Sequence, residues 1–380
     1  MLQSSHTRPI MIAGAGAAGL GCALAAAKQG AKVLLLEKTK QLGGTVQQAL
    51  IHTIGGLFDD QGQLLNTGLP AQLIQRLTEA CTYTKQRRIG KTWVLDVDPI
   101  IYTQAITDWV AETPNIEVFY NTDLKNIIVQ DGQVQQVTMQ NAQQSNTLAI
   151  QALVDATGNA NIVRQIDSQL VEEGKALSGL ILQLRGLEPD ALKFPKSVAI
   201  LREIRKAVEK KKLPAECASI WLDTGVYPDE AYAKFNLIAT DYDAIQIQAI
   251  AEQFLRFLNT LPGFENAVMR SRGQLGIRDG GRIQGEYCLT EDDVKAGQRF
   301  EDAACRASWP IEHWHPETGI SLEYLPVGQD YDIPLRCLKV KGFGNLWAVG
   351  KCLSAEPRAQ ASARVAGTCW AMGEAVGSQI

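Results

Sequence analysis

Histidine is scarce in this sequence: four in 380 residues, His6, His52, His313 and His315. Any step that needs an imidazole has only those to draw on. The eight cysteines form no C-x-x-C pair, which excludes a zinc cluster and a disulfide framework; reduced thiols in a cytoplasmic protein, with no metal, are expected. Neither sign of charge dominates. With 37 Lys+Arg against 41 Asp+Glu the net charge is −4, which gives a nucleic acid little to hold, and no such partner is expected. Repeats and low-complexity segments are absent. One uncharged run, residues 10–27, is long enough to imitate a signal peptide or a membrane span, but Gly14, Gly16, Gly19 and Gly21 crowd it and Lys28 follows it. No membrane span is expected. What remains is 46% hydrophobic and 21% charged, a globular composition with length for about two domains of roughly 150 residues.

The glycines in that run have a spacing with a physical cause. Residues 9–13 are apolar, Gly14-Ala-Gly16-Ala17-Ala18-Gly19 follows, and an Ala-rich stretch of high helix propensity runs to Gln29 and stops at Gly30. Residues 32–36 then read as a buried parallel strand that Glu37 ends. In such a strand–turn–helix–strand unit the first glycine permits the tight turn and the second lets backbone approach a pyrophosphate. The third lets helix pack close to strand, and the acid accepts hydrogen bonds from ribose hydroxyls. The unit predicts dinucleotide binding. Small residues recur at matching places: Gly43-Gly44-Thr45 lies just past Glu37, and two further apolar segments, residues 152–155 and 345–349, end in Ala156-Thr157-Gly158 and in Gly350. A nicotinamide domain would need only the first motif, and no second G-x-G-x-x-G occurs.

Taken together, these segments resemble the FAD-dependent oxidoreductases of the glutathione-reductase-like flavoprotein superfamily, in the branch akin to fumarate reductase flavoprotein subunits. The resemblance rests on the glycine motif and Glu37, LGGTV at 42–46, VDATG at 154–158, PGFE at 262–265, GEYCLTEDD at 285–293 and IPLRCL at 333–338. NLWAVGKCLSA at 345–355 and SARVAGTCWAMGEAVG at 362–377 complete it. It implies an α/β fold: a Rossmann-like FAD-binding domain with a parallel sheet and a small antiparallel insert, built from residues 1–170 and 333–380, plus an α+β substrate cap at 171–332. FAD is the implied cofactor, held by Gly14, Gly16, Ala17, Ala18, Gly19, Glu37, Lys38, Gly44, Thr45, Leu124, Ala156, Thr157, Gly158, Gly350, Arg364 and Val365. A last helix starting near Ser362 is expected to aim its N-terminus at the pyrimidine side of the flavin, where Arg364 adds charge. Two departures stand out: Lys351 follows Gly350 where many relatives carry Arg, and Gly280-Gly281 follows Arg278-Asp279 where many carry a second arginine.

Local signals fill in the rest. Asp98-Pro99 starts a helix to residue 111; strands at 117–120, 124–130 and 133–139, turning at Asp131-Gly132, read as the antiparallel insert. A strand at 180–184 and helices at 197–212 and 242–258 belong to the cap. The catalytic candidates are His52, Glu312 and His315. His52 follows LGGTV, and Glu312 lies in an irregular stretch, 309–315, between Pro310 and Pro316, where pairing with His313 or His315 would tune a proton acceptor. Arg336, Arg358 and Arg364 are expected to border the flavin cavity and to suit a carboxylate-bearing small molecule. The leading reading is oxidation of an amino acid, a hydroxy acid or an amine by hydride transfer to flavin. The alternatives are reduction of an activated C=C bond and a noncatalytic flavin-binding subunit. A homo-oligomer is compatible with all three, and the electron acceptor or donor stays open.

Overall fold

The computed structural model describes residues 8–175, 177–315 and 318–380; His6 lies outside them. Strands Ile10–Ala13 and Val33–Glu37 are buried along their whole length, as strands covered on both faces must be. They form the middle of a parallel sheet ordered Leu346–Ala348, Ala152–Asp155, Ile10–Ala13, Val33–Glu37, Ile116–Tyr120. The stretch expected at 117–120 in the antiparallel insert is thus the outer strand of the parallel sheet, because it pairs with Val33–Glu37 in register Val33 to Ile116. The insert itself is Asp123–Gln130, Gln133–Gln140 and Ser145–Ala149. Its first turn has φ of +50° at Asp131 and +68° at Gly132, the conformation that a two-residue hairpin selects.

Small residues bring the two ends of the chain together. Helix Ala17–Lys28 packs on the last helix, Ala366–Gln379, with backbone against backbone: a Cβ on Gly21 would stand 2.5 Å from the Trp370 carbonyl oxygen, and one on Gly377 would stand 2.3 Å from that of Cys22. The last helix does not start at Ser362. Pro357–Ala363 is a separate short helix, and the chain bends at Arg364 and Val365 before Ala366 begins the next. Helix Pro99–Glu112 opens as its sequence predicts, with the Asp98 carboxylate accepting from Ile100 N at 2.7 Å.

A second sheet, antiparallel, is ordered Trp221–Thr224, Glu230–Ile238, Leu177–Arg185, Val268–Arg272. Alternation along its two central strands gives it two different faces. Leu180, Leu182, Leu184, Ala233, Phe235 and Leu237 pack with Ile204, Ile250 and Phe254 of helices Lys196–Glu209 and Ala244–Leu258 into one hydrophobic core. Gly179, Ile181, Tyr232, Lys234 and Asn236 are left for the other face. Residues such as Leu289, Cys305, Ile311 and Ile333 join the core that surrounds the parallel sheet. Among the described residues no helix is long and apolar enough to cross a membrane.

Candidate active site

One cavity of about 960 Å³ runs from the carboxyl ends of the parallel strands to the free face of the antiparallel sheet. At its first end the glycine motif makes a cradle. Gly14 has φ +108°, and a Cβ there would stand 2.5 Å from the Ala156 carbonyl oxygen, so no other residue fits. A Cβ on Gly16 would meet only Gly44 Cα, at an ordinary contact distance of 3.7 Å. Helix Ala17–Lys28 starts there without a side-chain cap, leaving backbone N–H groups for a ligand. Glu37 is buried: one carboxylate oxygen accepts from Ala15 N at 3.0 Å, the other from Thr39 N at 2.8 Å and Thr39 Oγ1 at 2.9 Å. The oxygen that accepts from Ala15 N keeps a lone pair for a further donor. Asp155 shapes the adjacent turn, accepting from Thr157 N and Oγ1 on one oxygen and from Ile162 N and Val163 N on the other; burial pushes its carboxyl up while those bonds pull it down.

The far end is aromatic and cationic. Strand Ile311–His315, paired with Gly319–Glu323, turns Glu312 and Trp314 toward the cavity. The Glu312 carboxylate accepts from the indole nitrogens of Trp309 (2.8 Å) and Trp314 and pairs with Arg364 at 3.7 Å. Burial alone would raise Glu312, but Arg364, the two indoles and Arg278 hold it below its ordinary value. Arg278 lies over the Trp314 ring, 4.3 Å from its centroid, and is pushed down to about 9 by burial and by Arg364. Lys351 donates to the Ile277 carbonyl oxygen at 2.5 Å; burial and Arg364 push it down to about 8. On the antiparallel sheet, Asp223 is held by Arg87 at 3.1 Å, His52 at 3.2 Å and Lys234 at 3.5 Å; burial would raise it, but these partners hold it far below the carboxylate range.

The sequence matches the FAD dependent oxidoreductase family over residues 9–380. The chain belongs to that family. No curated protein matches it. Among solved structures it is similar to a geranylgeranyl bacteriochlorophyll reductase-like protein of Thermoplasma acidophilum, at 13% identity, covering 98% of this chain and 76% of that one with a TM-score of 0.47. It is also similar to p-nitrophenol 4-monooxygenase of Pseudomonas putida, at 11% identity, covering 74% and 70% with a TM-score of 0.42. At such distances neither says what this FAD-dependent oxidoreductase acts on.

FAD fits the cradle end, where glycines leave space that a Cβ would fill and a helix start and Glu37 stand beside it. Of the residues expected at the cofactor, all but Gly19 line the cavity. Gly19 packs beneath it: a Cβ there would stand 1.9 Å from the Gly14 carbonyl oxygen, the close helix-to-strand approach its place in the motif predicts. The catalytic candidates fall differently. His52 is fully buried behind the wall, stacked on Tyr232 with ring centroids 3.7 Å apart, and burial pushes it down to about 3, so it is neutral. Glu312 reaches the cavity but pairs with indoles and Arg364, not with an imidazole, and the stretch around it is a regular strand rather than irregular. The reason is alternation: Glu312 and Trp314 share one face, which puts His313 and His315 on the other. His313 meets Arg358 there, and His315 is exposed. Of the three arginines expected at the cavity only Arg364 lines it; Arg336 pairs with Asp302, and Arg358 with Glu291 and Glu323. Sequence reasoning missed Asp223, Lys234, Trp221 and Trp309. Arg278 and Lys351 were marked only as points of departure from relatives.

Proposed function

We propose that this enzyme oxidises a small carboxylate-bearing metabolite, an amino acid or a hydroxy acid, or else an amine. The cavity in which the FAD cradle and a cationic, aromatic wall share one space supports this reading. Bound FAD supplies the acceptor for the hydride that leaves the substrate's C–H bond. Gly14, Gly16, Ala17, Ala18, Glu37, Lys38, Gly44, Thr45, Leu124, Ala156, Thr157, Gly158, Gly350, Arg364 and Val365 are the residues that would hold it. Residues 1–170 and 333–380 act as its binding domain and 171–332 as the cap. His52 and His315 are not among the residues lining the cavity, and Glu312, which is, pairs with two indoles and Arg364. The proton that leaves the substrate's N–H or O–H is assigned to Lys351, which lines the cavity and whose ammonium burial and Arg364 push down to about 8. A second reading, reduction of an activated C=C bond in an unsaturated acid, follows from the fumarate-reductase-like resemblance and draws on the same cations.

Anaerobic additions of amino acids, hydroxy acids and amines to the holoenzyme, followed by NADH and NADPH, test the proposal through the visible flavin band. Bleaching by one of the metabolites is the expected result. Bleaching by NAD(P)H alone overturns it in favour of the reductase.

A further inference from the structure

We propose that the outer face of helix Lys196–Glu209, on the side of the antiparallel sheet away from the cavity, docks on an anionic lipid surface. The proposal goes beyond the reaction and depends on neither the substrate nor the direction of hydride transfer.

Charge is unevenly spread along this chain. Residues 193–212 hold eight Lys and Arg against Glu203 and Glu209, a local charge of +6 in a chain of net −4, so everything else carries −10. Lys193 pairs with Asp190, and Lys206 with Glu203. Among the described residues, Lys196, Arg202, Arg205, Lys210, Lys211 and Lys212 are exposed and have no carboxylate within ion-pairing distance. The helix dipole accounts for the three lysines at the carboxyl end, but not for Arg202 and Arg205 in the middle.

The helix is built to present these cations outward. Ile200, Ile204 and Ala207 are buried in the cap core. The opposite side carries Val198, Arg202 and Arg205, all exposed, at the i, i+4, i+7 spacing of one helix face. Phe194 stands just ahead of the first turn. It is 80% exposed and Val198 56%, so two apolar side chains project into water beside unpaired cations. A face that meets only water has no use for the apolar pair. A lipid surface uses both kinds of side chain, the cations attracted by headgroup charge and the apolar groups entering the acyl boundary. A nucleic-acid backbone would match the charge but offer Val198 no apolar partner. The helices of the cap pack on one face of the antiparallel sheet and the cavity lies on the other, so docking here leaves the cavity free.

The test is cosedimentation of the holoenzyme with vesicles of phosphatidylcholine alone and with vesicles in which phosphatidylglycerol replaces part of it. The enzyme is expected to bind the anionic vesicles about tenfold more tightly at low salt. Raising NaCl to about 0.5 M should release it, since the screening length then falls to about 4 Å. Arg202→Gln combined with Arg205→Gln should weaken binding about fivefold. Lys32→Gln combined with Lys341→Gln removes as much charge from exposed positions elsewhere and should bind like the unmodified enzyme. Phe194→Ser should weaken binding about threefold without changing its salt dependence. All five positions are exposed, so FAD content and melting temperature should not move. Equal binding of the unmodified enzyme to the two kinds of vesicle overturns the proposal, whether or not any variant folds. An equal loss in the Lys32 and Lys341 variant overturns the assignment to this helix, and unchanged binding of Phe194→Ser overturns the apolar contact. A duplex oligonucleotide that strips the enzyme from anionic vesicles at equal phosphate concentration overturns the lipid in favour of a nucleic acid.

Discussion

Gly373 sits so close to Ala18 that a Cβ on it would stand 2.0 Å from the Ala18 carbonyl oxygen. Ala18 lies in the first turn of the helix that ends the phosphate cradle, so this contact ties the last helix to the cofactor end of the cavity. Gly373→Val must push the two helices apart. We expect a loss of about 3 kcal/mol of stability, seen as a lower urea midpoint, together with weaker FAD retention.

The cradle can be blocked without unfolding the protein. Gly16→Val adds its side chain beside Gly44 on the cavity wall with no backbone clash at Cβ, whereas Gly14→Ala must also adopt a positive φ against the Ala156 backbone. The ratio of flavin to protein absorbance should fall in both variants, with the melting temperature of the FAD-free protein falling further in Gly14→Ala. A Gly16→Val protein that purifies with full FAD would show that the pyrophosphate lies elsewhere.

His52 makes the fold sensitive to acid. Its imidazole is pushed down to about 3 when folded, against an ordinary 6.5, so between those values the unfolded chain binds the extra proton and stability falls as pH falls. The slope is at most about 1.4 kcal/mol per pH unit from this group. Carboxylates of the unfolded chain titrate near 4, in the lower part of the same range, so the difference between two proteins is the informative quantity. His52→Gln should flatten the loss of stability between pH 6.5 and 4.5 relative to the unmodified enzyme; identical slopes would mean that His52 titrates freely.

Lys351 predicts a pH dependence of opposite origin. With its ammonium pushed down to about 8, the neutral amine that accepts a proton becomes the major form only above that pH. Rates of anaerobic flavin reduction by substrate should therefore rise through about pH 8. Lys351→Met should lower the rate and remove that limb; a limb that survives the substitution assigns the proton to another group.

Much of this was legible in the sequence, and the division follows the physics. The cradle could be read from spacing because its requirements are local and steric: a tight turn at Gly14, a close approach at Gly16, a close packing at Gly19. Asp98 and the Asp131-Gly132 turn were legible for the same reason. The substrate wall was not. Asp223 and Lys234 meet through antiparallel register, and nothing in their separate neighbourhoods marks them as neighbours. Residues 309–315 were misread because Pro310 precedes the strand Ile311–His315 instead of interrupting it, and a strand sends Glu312 and His313 to opposite sides. Strand Ile116–Tyr120 was given to the wrong sheet because hairpin signals follow it, while its partner Val33–Glu37 lies far back in the chain.

The joining of the two ends also sets an order of events at the ribosome. Strand Ala152–Asp155 has Ile10–Ala13 on one side from early in synthesis, but its other side waits for Leu346–Ala348, and the first helix waits for Gly373 and Gly377. Until those last segments emerge, the nascent chain carries a bare apolar strand edge and a glycine-rich helix with no partner. FAD capture therefore waits for residues 346–379 to emerge, and the chain before that point is the form most exposed to aggregation.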